Sequence, residues 1–139
     1  MDAGLMRTRV GAARVGELAT ADAAGRPHVV PVCFALDGDT IVTAVDAKPK
    51  TTTGLRRLAN VRAQPAASLL VHHYDDDDWT RLWWVRVDGT AEVVDRGPVR
   101  DDAVALLVAK YAQYRAEPPP GAVIHVAIRQ WRGWEWTGP

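Results

Sequence analysis

The chain has 139 residues, 17 basic and 17 acidic side chains and no formal net charge, with 47% hydrophobic and 24% charged residues. That length supports one domain, spanning residues 1–139, with a sizeable core. The charge balance argues against a nucleic-acid partner or an anionic membrane surface, and no apolar run approaches the ~20 residues of a membrane helix. The single cysteine, Cys33, excludes an intrachain disulfide and a cysteine-rich metal site. Set in an apolar run, it reads as a buried core thiol. Residues 1–10 lack the apolar stretch of a signal peptide, so the expected location is cytoplasmic.

In chain order, Ala3 to Arg14 predicts a short helix, with Leu5, Met6, Val10 and Ala13 on one face. Val15 to Ala21 predicts a strand, and Asp22 to Arg26 a hairpin turn with Gly25 at its tight position. Pro27 to Leu36 reads as one long apolar strand. Its Pro31 cannot donate to a ladder and marks an edge, a bulge or an opening. Asp37 to Asp39 turns the chain into the strand Thr40 to Val45. A helix over Thr51 to Asn60 with Leu55, Leu58 and Ala59 as its apolar face is followed by the strand Ala66 to Tyr74. Arg81 to Asp95 predicts a very long strand with a bulge or bend at Gly89. The strongest helical pattern is Arg100 to Glu117, and Ala122 to Trp136 forms the last strand. Short turns between consecutive strands predict an antiparallel sheet. The whole is mainly β with flanking helices, a six-stranded closed or split barrel.

Chemistry concentrates in Asp46 to Asn60, DAKPKTTTGLRRLAN, which holds two of the three lysines of the chain, Lys48 and Lys50, and three consecutive threonines. A strand, then cations and hydroxyls, then a helix start can form an anion pocket, because free N–H groups and the helix dipole face the ligand. The same residues also suit a solvated loop with a threonine cap. No glycine-rich phosphate motif is present. His72 and His73 point to opposite faces of a strand and do not suit one metal ion. The acidic run Asp75 to Asp78 reads as a solvated tip. Ser68, the sole serine, has no nucleophile motif around it. Trp83 and Trp84 also face opposite ways, so one fills the barrel and the other meets a helix, a partner or a ligand. Arg86, on the face of Trp84, and Arg132 suit a ligand anion or a surface salt bridge.

The blocks ELATADAAGRPHVVPVCFALDGDTIVTAVD, KPKTTTGLRRLANVRAQPAASLLVHHY, LWWVRVDGTAEV and WRGW, taken in order, resemble the flavin/deazaflavin oxidoreductase split-barrel family, which is pyridoxamine-phosphate-oxidase-like. The KPK…LRRLANV and DDDDWTRLWWVRV segments look like its coenzyme F420 branch. The resemblance implies an FMN-binding-type split barrel and a homodimer with the cofactor between subunits. It implies phosphate contacts from Lys48, Lys50 and Thr51, and ring contacts from Val30, Pro31, Val32, Ala44 and Val45. Trp84 joins this cofactor-binding set. Where many relatives carry an SxKxxNL-like segment this chain has KPKTTTGL, which leaves the main phosphate lysine open. The absence of an acid–base cluster fits an enzyme whose cofactor does the chemistry. The expected reaction is F420-dependent hydride transfer to a small electron-poor substrate. The alternatives are an FMN enzyme on the same barrel, a non-catalytic cofactor carrier, and a nucleic-acid-binding barrel, against which the zero net charge argues.

Overall fold

The computed structural model describes residues 1–45 and 52–139, with the side chains of all but 52–54 of these. Among the described residues the elements run α1 (Ala3–Ala12), β1 (Gly16–Ala21), β2 (Pro27–Val32), β3 (Ala35–Asp37), β4 (Thr40–Ala44), α2 (Thr52–Ala63), β5 (Ala66–His73), β6 (Trp83–Val94), α3 (Pro98–Lys110), α4 (Ala112–Ala116) and β7 (Val123–Glu135). A 3-10 turn, Trp79–Arg81, leads into β6. All strand pairings are antiparallel, in one sheet of order β2-β1-β5-β6-β7-β4-β3.

The sheet has seven strands, one more than the sequence pattern indicates, because Pro27 to Leu36 is two strands. The chain leaves β2 after Val32 and re-enters the sheet at Ala35, on the opposite edge. Two consecutive strands at opposite edges force the sheet to curl, and β2 and β4 face each other without pairing. That unpaired seam is the split of the barrel. Pro31 lies on the edge strand β2, where its missing N–H leaves no gap in an inner ladder.

Alternation places Leu18, Phe34, Ile41, Leu69, Val85 and Ile124 in the barrel interior, each at most 3% exposed. Burying each is worth roughly 1.5–3 kcal/mol. A second cluster joins Val42, Ala44 and Val123 to Ala103, Val104 and Leu107 of α3. Strand β4 is therefore covered on both faces, which explains its near-continuous apolar sequence. Gly89 occupies a register break in the β6–β7 ladder, and a Cβ there would lie 2.3 Å from the Ala127 carbonyl oxygen.

Three sequence expectations need correction. Cys33 is exposed, because it alternates with the inward-facing Val32 and Phe34. The helix expected over Arg100 to Glu117 breaks at Tyr111, whose backbone is extended (φ −116°, ψ 123°). The Tyr111 hydroxyl is drawn into the fold, bonding Arg14 O, Phe34 O and Phe34 N at 2.9–3.1 Å. Finally, α2 does not bury Leu55 or Ala59, and Leu55 is 66% exposed. Its inward side runs Arg57, Leu58, Asn60 and Val61, with Leu58 and Val61 packed on the core, so the helix meets the barrel with a mixed polar and apolar face.

Candidate functional site

Specific bonds fix the chain around the seam. Strand β3 pairs with β4 only as far as Ala35 opposite Val42, so Thr43 and Ala44 run on beyond it. The Thr43 hydroxyl donates to the Cys33 carbonyl at 2.6 Å. Beneath the crossover, the Lys110 ammonium donates to the Ala13 and Phe34 carbonyls at 2.7 and 2.9 Å and lies 4.1 Å from the Phe34 ring centroid. Burial, with the Arg14 charge nearby, lowers the Lys110 pKa to about 8. Burial also raises that of Tyr111.

A hollow of about 230 Å³ opens at the seam, lined by Val15, Pro31, Val32, Cys33, Ala44, Arg57 and Tyr114. Three residues of the expected ring-binding set, Pro31, Val32 and Ala44, thus meet in one place although they come from separate strands. Val30 packs its side chain against the barrel core, and Val45, whose N–H bonds Ala122 O, is not among the residues that line the hollow. The expected phosphate contacts Lys48, Lys50 and Thr51 lie outside the described residues. Sequence reasoning missed Arg57, Cys33 and Tyr114. Strand alternation alone was enough to turn Cys33 outward.

The chemistry of this lining suits a flat heteroaromatic ring. Its walls are partly apolar, from Val15, Pro31, Val32 and Ala44, β2 is an edge strand whose outward main-chain groups bond no strand among the described residues, and Arg57 supplies a cation. The hollow is smaller than the roughly 300–1,000 Å³ of typical small-ligand sites. The described residues of one chain therefore wall only part of such a ligand.

Trp84 is elsewhere. It lines a concavity of about 480 Å³ on the outer face of the sheet, with Leu70, Tyr74, Leu82 and Trp134. Trp84 and Trp134 are cross-strand partners, and Tyr74 and Trp134 are 59% and 42% exposed. Trp83 packs against the core under the Arg9 guanidinium and also reaches the lining of this concavity. The Arg86 guanidinium is taken by Asp88 at 2.9 and 3.1 Å. Partial burial opposes ionisation of Asp88, but bonds from Ser68 and Arg86 outweigh it and hold the carboxylate below its usual pKa. Both partners are partly exposed, so this bridge contributes at most about 1 kcal/mol. No group of three or more His, Cys, Asp or Glu side chains suited to a metal exists among the described residues. Asp75 accepts from the Asp77 and Asp78 N–H groups, and Asp78 caps the 3-10 turn.

The family model for pyridoxamine 5'-phosphate oxidase matches residues 4–135. The chain belongs to this family. The fold agrees with solved members of the split-barrel type. A conserved hypothetical protein from Mycobacterium tuberculosis is 22% identical, with a TM-score of 0.77 over 97% of this chain and 85% of that one. A FAD-binding protein from Mesorhizobium loti is 25% identical, with a TM-score of 0.73 over 99% and 96%. The heme storage protein HutZ from Vibrio cholerae is 14% identical, with a TM-score of 0.73 over 96% and 93%. Among curated proteins none matches. No helix among the described residues is long and apolar enough to cross a membrane.

Proposed function

We propose that the chain is an oxidoreductase that holds the deazaflavin F420 at the seam and passes a hydride between it and a small electron-poor organic substrate. The observation that carries this reading is the hollow where β2 and β4 part, bounded by Pro31, Val32, Cys33 and Ala44. The likeness of LRRLANV and DDDDWTRLWWVRV to the F420 branch supports the choice of deazaflavin. FMN on the same residues is the runner-up, and a FAD-binding relative supports flavin chemistry in general.

Within this proposal each residue has a modest task. The free edge of β2 orients the ring, Val32 and Ala44 exclude water from one side, and Arg57 balances negative charge. Lys48, Lys50 and Thr51 are the proposed phosphate contacts. When bound, the cofactor supplies the hydride chemistry. We further propose a cytoplasmic homodimer. The described residues wall only part of the ligand, while the aromatic face with Trp84 and Trp134 stays exposed among the described residues. A two-fold pairing presents that face of one copy to the seam of the other and completes two sites at once.

The test is a side-by-side fluorescence titration with F420, FMN and hemin, followed by turnover of reduced F420 with nitroaromatic, enone and quinone acceptors. The proposal expects micromolar F420 binding, little FMN binding and loss of reduced cofactor with at least one acceptor. Tight FMN binding with no F420 binding transfers the reading to the runner-up. Binding of hemin alone refutes both, and F420 binding without any turnover makes the chain a carrier. Sedimentation of the same sample as a monomer removes the dimer.

A further inference from the structure

Tyr74, Trp84 and Trp134 stand around one hollow of about 480 Å³ on the outer face of β5, β6 and β7, with Leu70 and Leu82 as its aliphatic walls. Its size falls within the roughly 300–1,000 Å³ of small-ligand sites. We infer that it binds a hydrophobic organic cation of the quaternary ammonium class, whose charge rests against the aromatic rings. The inference does not depend on which cofactor occupies the seam. In the pairing proposed above the hollow borders the second copy's seam, and in a single chain it opens to solvent.

The rings are available for such a ligand. An aromatic face attracts a cation through its quadrupole, and this chain uses that attraction repeatedly elsewhere. The guanidinium carbons of Arg7, Arg9 and Arg14 lie 4.7, 4.8 and 4.7 Å from the ring centroids of Trp131, Trp83 and Tyr111. No cation of the described residues lies over Tyr74, Trp84 or Trp134 in this way. Trp84 and Trp134 are cross-strand partners, which places both indoles on the same face of the sheet. The Tyr74 hydroxyl donates to Asp76 Oδ1 at 2.8 Å, and a carboxylate acceptor leaves more electron density on the ring.

The charges around the hollow favour a cation over an anion. Arg86, the one arginine in its lining, is held by Asp88 at 2.9 and 3.1 Å, which offsets its charge. His72, also in the lining, stands beside a carboxylate, with Nε2 3.8 Å from Glu17 Oε2. The tip Asp75 to Asp78 follows Tyr74 directly and sets four carboxylates at one end of the hollow. Among the described residues only Asp75 of these has an arginine within bridging distance, Arg81 at 3.3 Å. The excess negative charge attracts a cation held by the rings, adds nothing for an uncharged ligand and repels an anion. An apolar floor, three rings without a cation and an acidic rim thus select one ligand chemistry.

The test is an NMR titration with phenyltrimethylammonium, its uncharged isostere tert-butylbenzene, and benzenesulfonate, following the Trp84 and Trp134 indole N–H groups and the Tyr74 ring. Saturable shifts at all three are expected with the cation. Tert-butylbenzene should bind about tenfold more weakly, and benzenesulfonate should give no saturable shift. Trp134→Leu and Tyr74→Leu should each weaken cation binding by about threefold or more. Both side chains are exposed, so the fold is kept. Trp79→Leu, at an exposed indole outside the hollow, should bind the cation like the wild type. Three results overturn the site. They are absence of saturable shifts with the cation, binding of tert-butylbenzene or benzenesulfonate as tight as that of the cation, and a loss in Trp79→Leu as large as in Trp134→Leu and Tyr74→Leu. A second copy that seals the face gives the first of these. The cofactor titration is read by fluorescence, so failure here is distinguishable from failure of the seam proposal.

Discussion

Thr43 donates its hydroxyl to the Cys33 carbonyl at 2.6 Å and so links the two strands that part at the seam. Thr43 is 0% exposed. Thr43→Val keeps the shape but strands a carbonyl, and should cost about 1–3 kcal/mol in urea unfolding. Thr43→Ser should keep most of that stability, because the bond survives. Equal stability of the valine and serine variants would remove the bond from any account of the seam.

Gly89 sits where the β6–β7 register breaks. A Cβ would meet the Ala127 oxygen at 2.3 Å and Val126 Cγ1 at 2.9 Å. Since main chain cannot step aside like a side-chain tip, Gly89→Ala should destabilise the fold by at least about 2 kcal/mol. Gly25→Ala at the hairpin turn, with open space around it but φ of +81°, should cost only about 1 kcal/mol. Thermal unfolding of the two variants checks the order.

Lys110 makes stability depend on alkaline pH. Its pKa falls from 10.5 to about 8 on folding, so between those values the unfolded chain binds more protons. Stability should therefore rise with pH through this window, by about 1 kcal/mol once solvent screening of a half-buried group is allowed for. Tyr111 acts in the opposite sense above its ordinary value of 10.0, because burial raises its pKa in the fold. The rise should crest near that pH. Unfolding midpoints at closely spaced pH values measure the slope, and Lys110→Met should flatten it.

Cys33 offers a chemical probe of the seam. Being exposed, it should be alkylated by iodoacetamide in the folded protein without prior unfolding. Because it lines the hollow, saturating F420 or FMN should slow alkylation, as followed by mass spectrometry. Unchanged alkylation in the presence of a cofactor shown to bind would move the ring away from Pro31, Val32 and Ala44.

Much of the sheet was legible because local chemistry dictates it. The turns at Asp22 to Arg26 and Asp37 to Asp39 and the bulge at Gly89 follow from residue type, and the edge position of Pro31 is one of the three places its missing N–H allows. Strand alternation also accounts for Trp83 packing on the core, although both Trp83 and Trp84 reach the outer concavity. The crossover at Cys33–Phe34 was not legible, because apolar residues run straight through it and only the distant pairing of β4 with β7 decides it. Tyr111 ends α3 through bonds to Arg14 and Phe34, far away in sequence. Nor could the stripe of α2 be found by seeking apolar periodicity, since Arg57 and Asn60 occupy inward positions. Of the expected ring contacts, Pro31, Val32 and Ala44 converge, whereas Trp84 lines a different concavity.

The strand order also sets a sequence in time. Walking through the sheet from β2 to β3 crosses all six pairings, although the chain passes directly from one strand to the other. Long-range closure is slow because chain entropy is lost before the contacts form. Through the sheet, the two sides of the seam are joined only when the β2–β1, β1–β5, β5–β6, β6–β7 and β7–β4 ladders are all in place. A ligand of the seam therefore cannot nucleate folding. It should slow unfolding and leave the refolding rate nearly untouched.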